Sequence, residues 1–148
     1  MCSVDLKTIH NWVDRGKLPA LRTSGRHLRF WPLDVLDFLR TFELGTPDAL
    51  RQLRLRIVVV DRDLAALAAA RRALSRRFEV TAVESVVEGL VAVATLLPDL
   101  LVLGDVAPLD ATAIAAGLAA PESTRHVRVV ERGDVTRLRE LVETRVAG

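Results

Sequence analysis

From Asp5 to Arg15 the apolar residues Leu6, Ile9 and Val13 recur at intervals of three and four, with Trp12 at the edge of the same stripe. This spacing predicts an amphipathic helix. At about 100° per residue, Lys7, Thr8, Asn11, Asp14 and Arg15 share the opposite, hydrogen-bonding face. Ser3 or Asp5 is placed to cap the start, and Gly16 followed by Lys17, Leu18 and Pro19 ends the helix. The period then changes. Ala20-Leu21-Arg22 and His27-Leu28-Arg29-Phe30 alternate apolar with polar around Thr23-Ser24-Gly25-Arg26, which predicts a hairpin with Leu28 and Phe30 inward and His27 and Arg29 outward. Pro32 opens a second helix through about Thr41, with Leu33, Leu36 and Leu39 or Phe38 on its buried side.

Residues 43–54, "ELGTPDALRQLR", combine Gly45 and Pro47 with a short amphipathic run and are read as a partly helical connection. Beyond it Ile57-Val58-Val59-Val60 is a continuous β-branched run followed by an alanine-rich helix, Leu64 to about Arg76. A strand Phe78–Val83, a helix Val86–Leu96, a strand Leu100–Leu103, a helix Ala111–Ala119, a strand Val127–Val130 and a final helix from about Val135 to Val146 follow. Strands alternating with helices predict an α/β domain with a parallel sheet covered on both faces. The organisation is therefore a small domain over 1–42, a linker over 43–54 and an α/β domain over 55–148.

Composition narrows the class. Half of the 148 residues are hydrophobic and 27% are charged, which favours a packed core over disorder. The single cysteine, Cys2, excludes an internal disulfide, and His10, His27 and His126 are too scattered for a zinc site. A reducing, cytoplasmic setting is expected. No apolar run reaches the ~18 residues of a membrane span, because Glu88, Pro98 and Asp99 cut the longest one, and no secretion signal is read at the start. The net charge of +2 is unevenly spread: residues 1–31 hold six cations against two acids, net +4, so the remainder carries −2. That asymmetry points to a polyanion at the N-terminal end.

A helix with a polar face beside a basic hairpin suits double-stranded DNA. Asn11, Lys7 and Arg15 would meet base edges or phosphates, while Arg22, Arg26 and Arg29 would supply salt-dependent affinity. The competing explanation is an ordinary solvated face, and Trp12, flanked by Ile9 and Val13, is read as core. The string S-V-D-L-K-T-I-H-N-W-V-D-R-G-K-L-P, then R-T-S-G-R-H-L-R and D-V-L-D-F-L, resembles the winged helix-turn-helix of the MerR and excisionase type over residues 3–40. In that family T-[IV]-x-x-W-x-x-x-G-x-[LI]-P is followed by an R-x-x-G-x-x-x-R wing and a D-[VL]-x-x-[FW]-L helix. The resemblance implies a recognition helix carrying Lys7, Thr8, Asn11 and Arg15, and a wing carrying Arg22, Arg26, His27 and Arg29. It departs from the family in one respect: the helix normally preceding the S-V position has no counterpart here, so either the true start lies upstream of Met1 or the domain lacks its first helix, in which case the Leu6/Ile9/Val13 face would lack a cover.

In the α/β domain functional groups should collect at the carboxyl ends of the strands, where Asp61, Asp63, Glu84, Asp105 and Glu131 fall. Clustered carboxylates can hold Mg²⁺, or they can cap the following helices, as Asp63 would at Leu64. The run R-I-V-V-V-D-R-D-L-A-A-L…L-L-P-D-L-L-V-L-G-D-V-A-P-L-D resembles the receiver domain of two-component response regulators over residues 55 to about 146, implying a flavodoxin-like sheet. Under that resemblance Asp61 matches the first metal-binding acid and Pro108 the proline following the phosphoacceptor. The acceptor column itself falls on Gly104, Arg62 takes the second acid's place, and Glu131 stands where Ser or Thr is expected. The chain is also expected to lack the fifth strand and its lysine. Asp105 would point to the other side of the strand if the strand continued through it.

The expected protein is thus a DNA-binding transcriptional regulator whose receiver-like domain has a residual acidic site, Asp61, Asp63 and Asp105, but no phosphotransfer and no cofactor. Its partners are expected to be duplex DNA and a second copy of the chain, or a protein docked on the receiver-like domain. Two alternatives stay open: phosphorylation on Asp105, and an adaptor that no longer binds DNA. No phosphate loop, nucleophile elbow or metal-ligand cluster marks an enzyme.

Overall fold

Asp5 has extended backbone dihedrals, φ −65° and ψ 144°, and its carboxylate accepts from the Lys7 backbone N–H, capping α1, Leu6–Asp14. The computed structural model describes residues 5–22, 24–25, 27–45 and 47–132; Ser3, Arg26 and the helix expected at Val135–Val146 lie outside the described residues. Gly16, at φ 70°, supplies the left-handed turn that closes α1 and lets the chain reverse. Two short strands, β1 (Leu21–Arg22) and β2 (Leu28–Arg29), pair antiparallel with Leu21 opposite Arg29 and Arg22 opposite Leu28. Leu28 and Phe30 are half-buried while His27 and Arg29 are exposed, the alternation that the sequence pattern requires.

Pro32 sits in the first turn of α2 (Pro32–Thr41), where its missing N–H removes no helix bond, and Leu33, Leu36, Phe38 and Leu39 are all buried. Trp12 tilts against Phe38 with ring centroids 4.7 Å apart, and Phe38 meets Phe42 at the same distance. Trp12 is therefore half-buried core linking α1 to α2. A single-turn helix, α3 (Asp48–Arg51), follows.

The chain divides into two compact units, with the boundary between Leu53 and Arg54. The second is a four-stranded parallel sheet built from β3 (Arg56–Val60), β4 (Glu79–Val83), β5 (Leu100–Leu103) and β6 (Arg128–Glu131), in the order β4-β3-β5-β6. Register aligns Val58 with Thr81 on one side and with Leu101 on the other, and Leu101 with Val129. Helices α4 (Leu64–Leu74), α5 (Val86–Leu96) and α6 (Ala111–Ala119) connect the strands. The architecture is mixed α/β, and the strand order is compatible with a flavodoxin-like arrangement.

Continuous apolar strands are those buried on both faces, and the central pair, β3 and β5, is nearly all Ile, Val and Leu at 0–2% exposure. One face packs Val58, Val60, Leu101 and Leu103 against Val93 of α5 and Ile114 and Leu118 of α6. At the amino ends of the strands the buried Asp99 carboxylate accepts from the Arg56 N–H at 2.9 Å and so clips β5 to β3. Burial raises its pKa, opposed by that hydrogen bond and by the charges of His126 and Arg56.

Gly89 lets α5 approach β3: a Cβ there would lie 2.3 Å from Val60 Cγ2. Gly89→Ala is expected to destabilise the protein by about 1–3 kcal/mol, because Val60 is a stiff β-branched neighbour and the overlap outweighs the helix-propensity gain. Gly117 of α6 has nothing within 4 Å of its Cβ position. There the same substitution is expected to stabilise by about 0.5–1 kcal/mol. Urea unfolding of both variants checks the opposite signs. Among the described residues no helix is long and apolar enough to cross a membrane.

Candidate functional site

In the first unit α1 presents Lys7, Asn11 and Arg15 to solvent, with Thr8 half-buried towards the Trp12 side. Arg15 is also the residue that closes the helix, its N–H donating to the Asn11 carbonyl at 3.0 Å. The hairpin is tied to this helix by Arg22, whose guanidinium meets the Asp14 carboxylate at 3.3 Å. Both side chains are about half-exposed or more, so the pair contributes little stability. It does bring the first strand's cation to the end of the polar face of α1. Arg29 folds back to donate to the Leu28 carbonyl at 3.2 Å and remains exposed, as does His27. Lys7, Asn11, Arg15, Arg22, His27 and Arg29 are thus surface groups on one helix and one hairpin, and Lys17, over the Phe42 ring at 5.5 Å, adds a cation absent from the sequence-based set.

The apolar side of α1 is less well covered. No residue of the helix is fully buried, and Leu6 is 69% exposed.

In the second unit the acidic residues at the strand ends do not converge. Asp61, directly after β3, is 1% exposed. Its Oδ1 accepts from the backbone N–H groups of Asp63 at 2.9 Å and Asp105 at 3.2 Å, and its Oδ2 accepts from Arg132 Nη1 at 2.5 Å. A buried carboxylate requires a cation or several donors, and Asp61 has both. Asp63 turns away to cap α4, accepting from the N–H groups of Ala65 and Ala66. Asp105 is exposed and accepts from the Ala107 N–H at 3.2 Å. The residual acidic site expected from Asp61, Asp63 and Asp105 is therefore split into three separate roles, and among the described residues no group of three His, Cys, Asp or Glu side chains is placed to hold a metal ion.

Asp105 also lies outside the strand: β5 stops at Leu103, because the Asp105 N–H turns to Asp61 instead of continuing the ladder. The strand therefore does not continue through Asp105, and the face alternation that would follow from its continuing does not apply. Arg62, at the position of a second acid, is exposed and donates to the Ala107 carbonyl at 3.2 Å.

Gly104 is the complement of this arrangement. A Cβ built on it would lie 2.0 Å from Asp61 Oδ2 and 2.3 Å from Asp61 Cγ. The Asp61 carboxylate thus fills the space that a side chain at residue 104 would need. An open cleft of about 420 Å³ runs past Gly104, Asp110 and Glu131 to Arg132, whose side chain is 47% exposed.

Comparison of the chain with family models, with curated proteins and with solved structures finds no match.

Arg132 is the functional residue that sequence reasoning missed. A signal existed: an aspartate at a buried strand end needs a cation or several donors. Arg62 and Arg132 follow β3 and β6 at the same edge of the sheet as Asp61, and a cation there can offset a buried carboxylate.

Proposed function

We propose that the chain is a DNA-binding transcriptional regulator, with a MerR/excisionase-type winged helix-turn-helix over its first unit and a receiver-like domain without phosphotransfer over its second. The observation that carries the DNA-binding half is the exposure of Lys7, Asn11 and Arg15 on one helix, beside a hairpin presenting Arg22, His27 and Arg29. A helix of this kind fits the major groove, and the cations beside it fit phosphates. The half without phosphotransfer is supported by Gly104 in the acceptor column and by Arg132 paired with Asp61, which is 1% exposed at the carboxyl end of β3. A domain of that kind is kept for contacts, either with a second copy of the chain or with another protein.

Fluorescence anisotropy on random-sequence duplex tests the first half. Lys7→Ala and Arg29→Ala are each expected to weaken binding about three- to tenfold at low salt, the scale of one phosphate contact of about 1 kcal/mol. Unchanged affinity in both variants removes these residues from the interface. An adaptor function replaces DNA binding if the wild-type chain leaves duplex unbound even in dilute buffer.

A further inference from the structure

Helix α5, VVEGLVAVATL, carries one charged residue in eleven, Glu88. A helix apolar on all sides is one buried on all sides. Only one side of α5 is covered: Gly89 and Val93 are buried against the sheet, whereas Val87 is 72% exposed, Val91 60% and Leu90 39%, and Ala94 is exposed as well. Positions 87, 90, 91 and 94 fall on one stripe at helical spacing, so the side of α5 turned away from the sheet is a second apolar face.

We infer that this face is the self-association surface of the chain, with α5 packing antiparallel against α5 of a second copy about a two-fold axis. The inference rests on the self-association part of the function proposed above and adds where it occurs. Three features select a second copy as the occupant. An uncharged stripe is complementary to itself, so a two-fold contact desolvates no charge at its centre. Ala94, beside Val87 and Val91, is small enough to let two helix axes approach closely.

The third feature is the charge at the two ends. Glu88 lies in the first turn of α5, while at the last turn Arg56 donates to the Leu96 carbonyl at 3.1 Å. Antiparallel pairing centred near Ala92 sets Glu88 of each copy against the end of the other helix where Arg56 sits. Parallel pairing would set like charges together. A membrane surface is disfavoured as occupant, since an interfacial helix flanks its apolar face with Lys and Arg, and α5 has neither.

Sedimentation equilibrium of the 148-residue chain tests this. The wild type is expected to be a dimer with a dissociation constant in the micromolar range, as suits a contact at the small end of specific interfaces. Val91→Glu places two carboxylates together at the axis and is expected to weaken the dimer at least about a hundredfold. Its thermal midpoint, read at a concentration where both chains are monomeric, is expected to stay unchanged because the residue is exposed. Glu88→Lys is expected to weaken it about three- to fivefold, within the range of an exposed ion pair. In a Cys2→Ser background, Val91→Cys is expected to give a disulfide-linked dimer on mild oxidation. A dimer untouched by Val91→Glu overturns the assignment of α5 and leaves self-association standing. A wild type that stays monomeric throughout the micromolar range overturns both, and a Val91→Glu monomer that still binds duplex leaves the DNA-binding half intact.

Discussion

Gly104→Ala is expected to destabilise the protein by about 2–4 kcal/mol, although it adds one methyl group at a half-buried position. The methyl carbon must take space now held by the Asp61 carboxylate, 2.0 Å from Oδ2. Asp61 cannot yield cheaply, because leaving its seat breaks the hydrogen bonds from the Asp63 and Asp105 N–H groups and the contact with Arg132. Hydrogen bonds to a charged group are each worth about 1.5–3 kcal/mol. Gly104→Asp is expected to be worse than Gly104→Ala, since it adds a second carboxylate beside a buried one. It is also expected to gain no mass with acetyl phosphate and Mg²⁺, because the Asp61 carboxylate is already taken up by Arg132 and two backbone N–H groups. Chemical denaturation checks the stability: the midpoint should fall at constant m-value. Pairing Gly104→Ala with Asp61→Gly should recover part of the loss, giving a clearly non-additive cycle. A Gly104→Ala variant as stable as the wild type would show that Asp61 leaves its seat freely, and the fixed Asp61–Arg132 pair would no longer argue against phosphotransfer.

That pairing marks where sequence legibility ends. Helices and strands of the second unit were readable because their apolar periods change abruptly, from the run Ile57–Val60 to the spaced Leu64, Leu67 and Leu74 of α4. Asp63 was readable as a cap because capping needs only the next three residues. Asp61 was readable as an acid at a strand end but not as a partner of Arg132, since the contact spans 71 residues and depends on β5 and β6 lying side by side. The end of β5 at Leu103 was readable, but the direction of Asp105 was not, because its N–H goes to a side chain distant in sequence.

The exposed side of α5 was invisible for a different reason. Helical periodicity reports an apolar stripe through its contrast with polar residues, and α5 offers almost none. Its two faces become distinct only when Gly89 and Val93 are seen against the sheet. In the first unit, by contrast, the contrast between faces of α1 is strong, and Lys7, Asn11 and Arg15 are exposed as the pattern required. On the other side Leu6 remains open, which the apolar stripe by itself does not reveal, since periodicity marks a face without saying what covers it.

On the proposed function, affinity for duplex DNA is expected to fall about a hundredfold between about 50 and 200 mM salt for a single copy. Four cations, Lys7, Arg15, Arg22 and Arg29, are exposed on α1 and the hairpin, and each neutralised phosphate contributes about −0.9 to the slope of log affinity against log salt. Two copies bound together would double the slope, so the loss separates one engaged unit from two. Arg22 contributes least among the four, because its charge is already shared with Asp14 at 3.3 Å. Asp14→Asn is therefore expected to tighten binding several-fold at low salt, by freeing Arg22 and removing a carboxylate from the polar face of α1. Lys7→Glu combined with Arg29→Glu is expected to reduce the slope by about two and to abolish measurable binding above about 150 mM salt. Anisotropy titrations at four salt concentrations give all three quantities. A slope near zero in the wild type, or an Asp14→Asn variant that binds more weakly, would mean that these cations face water rather than phosphate.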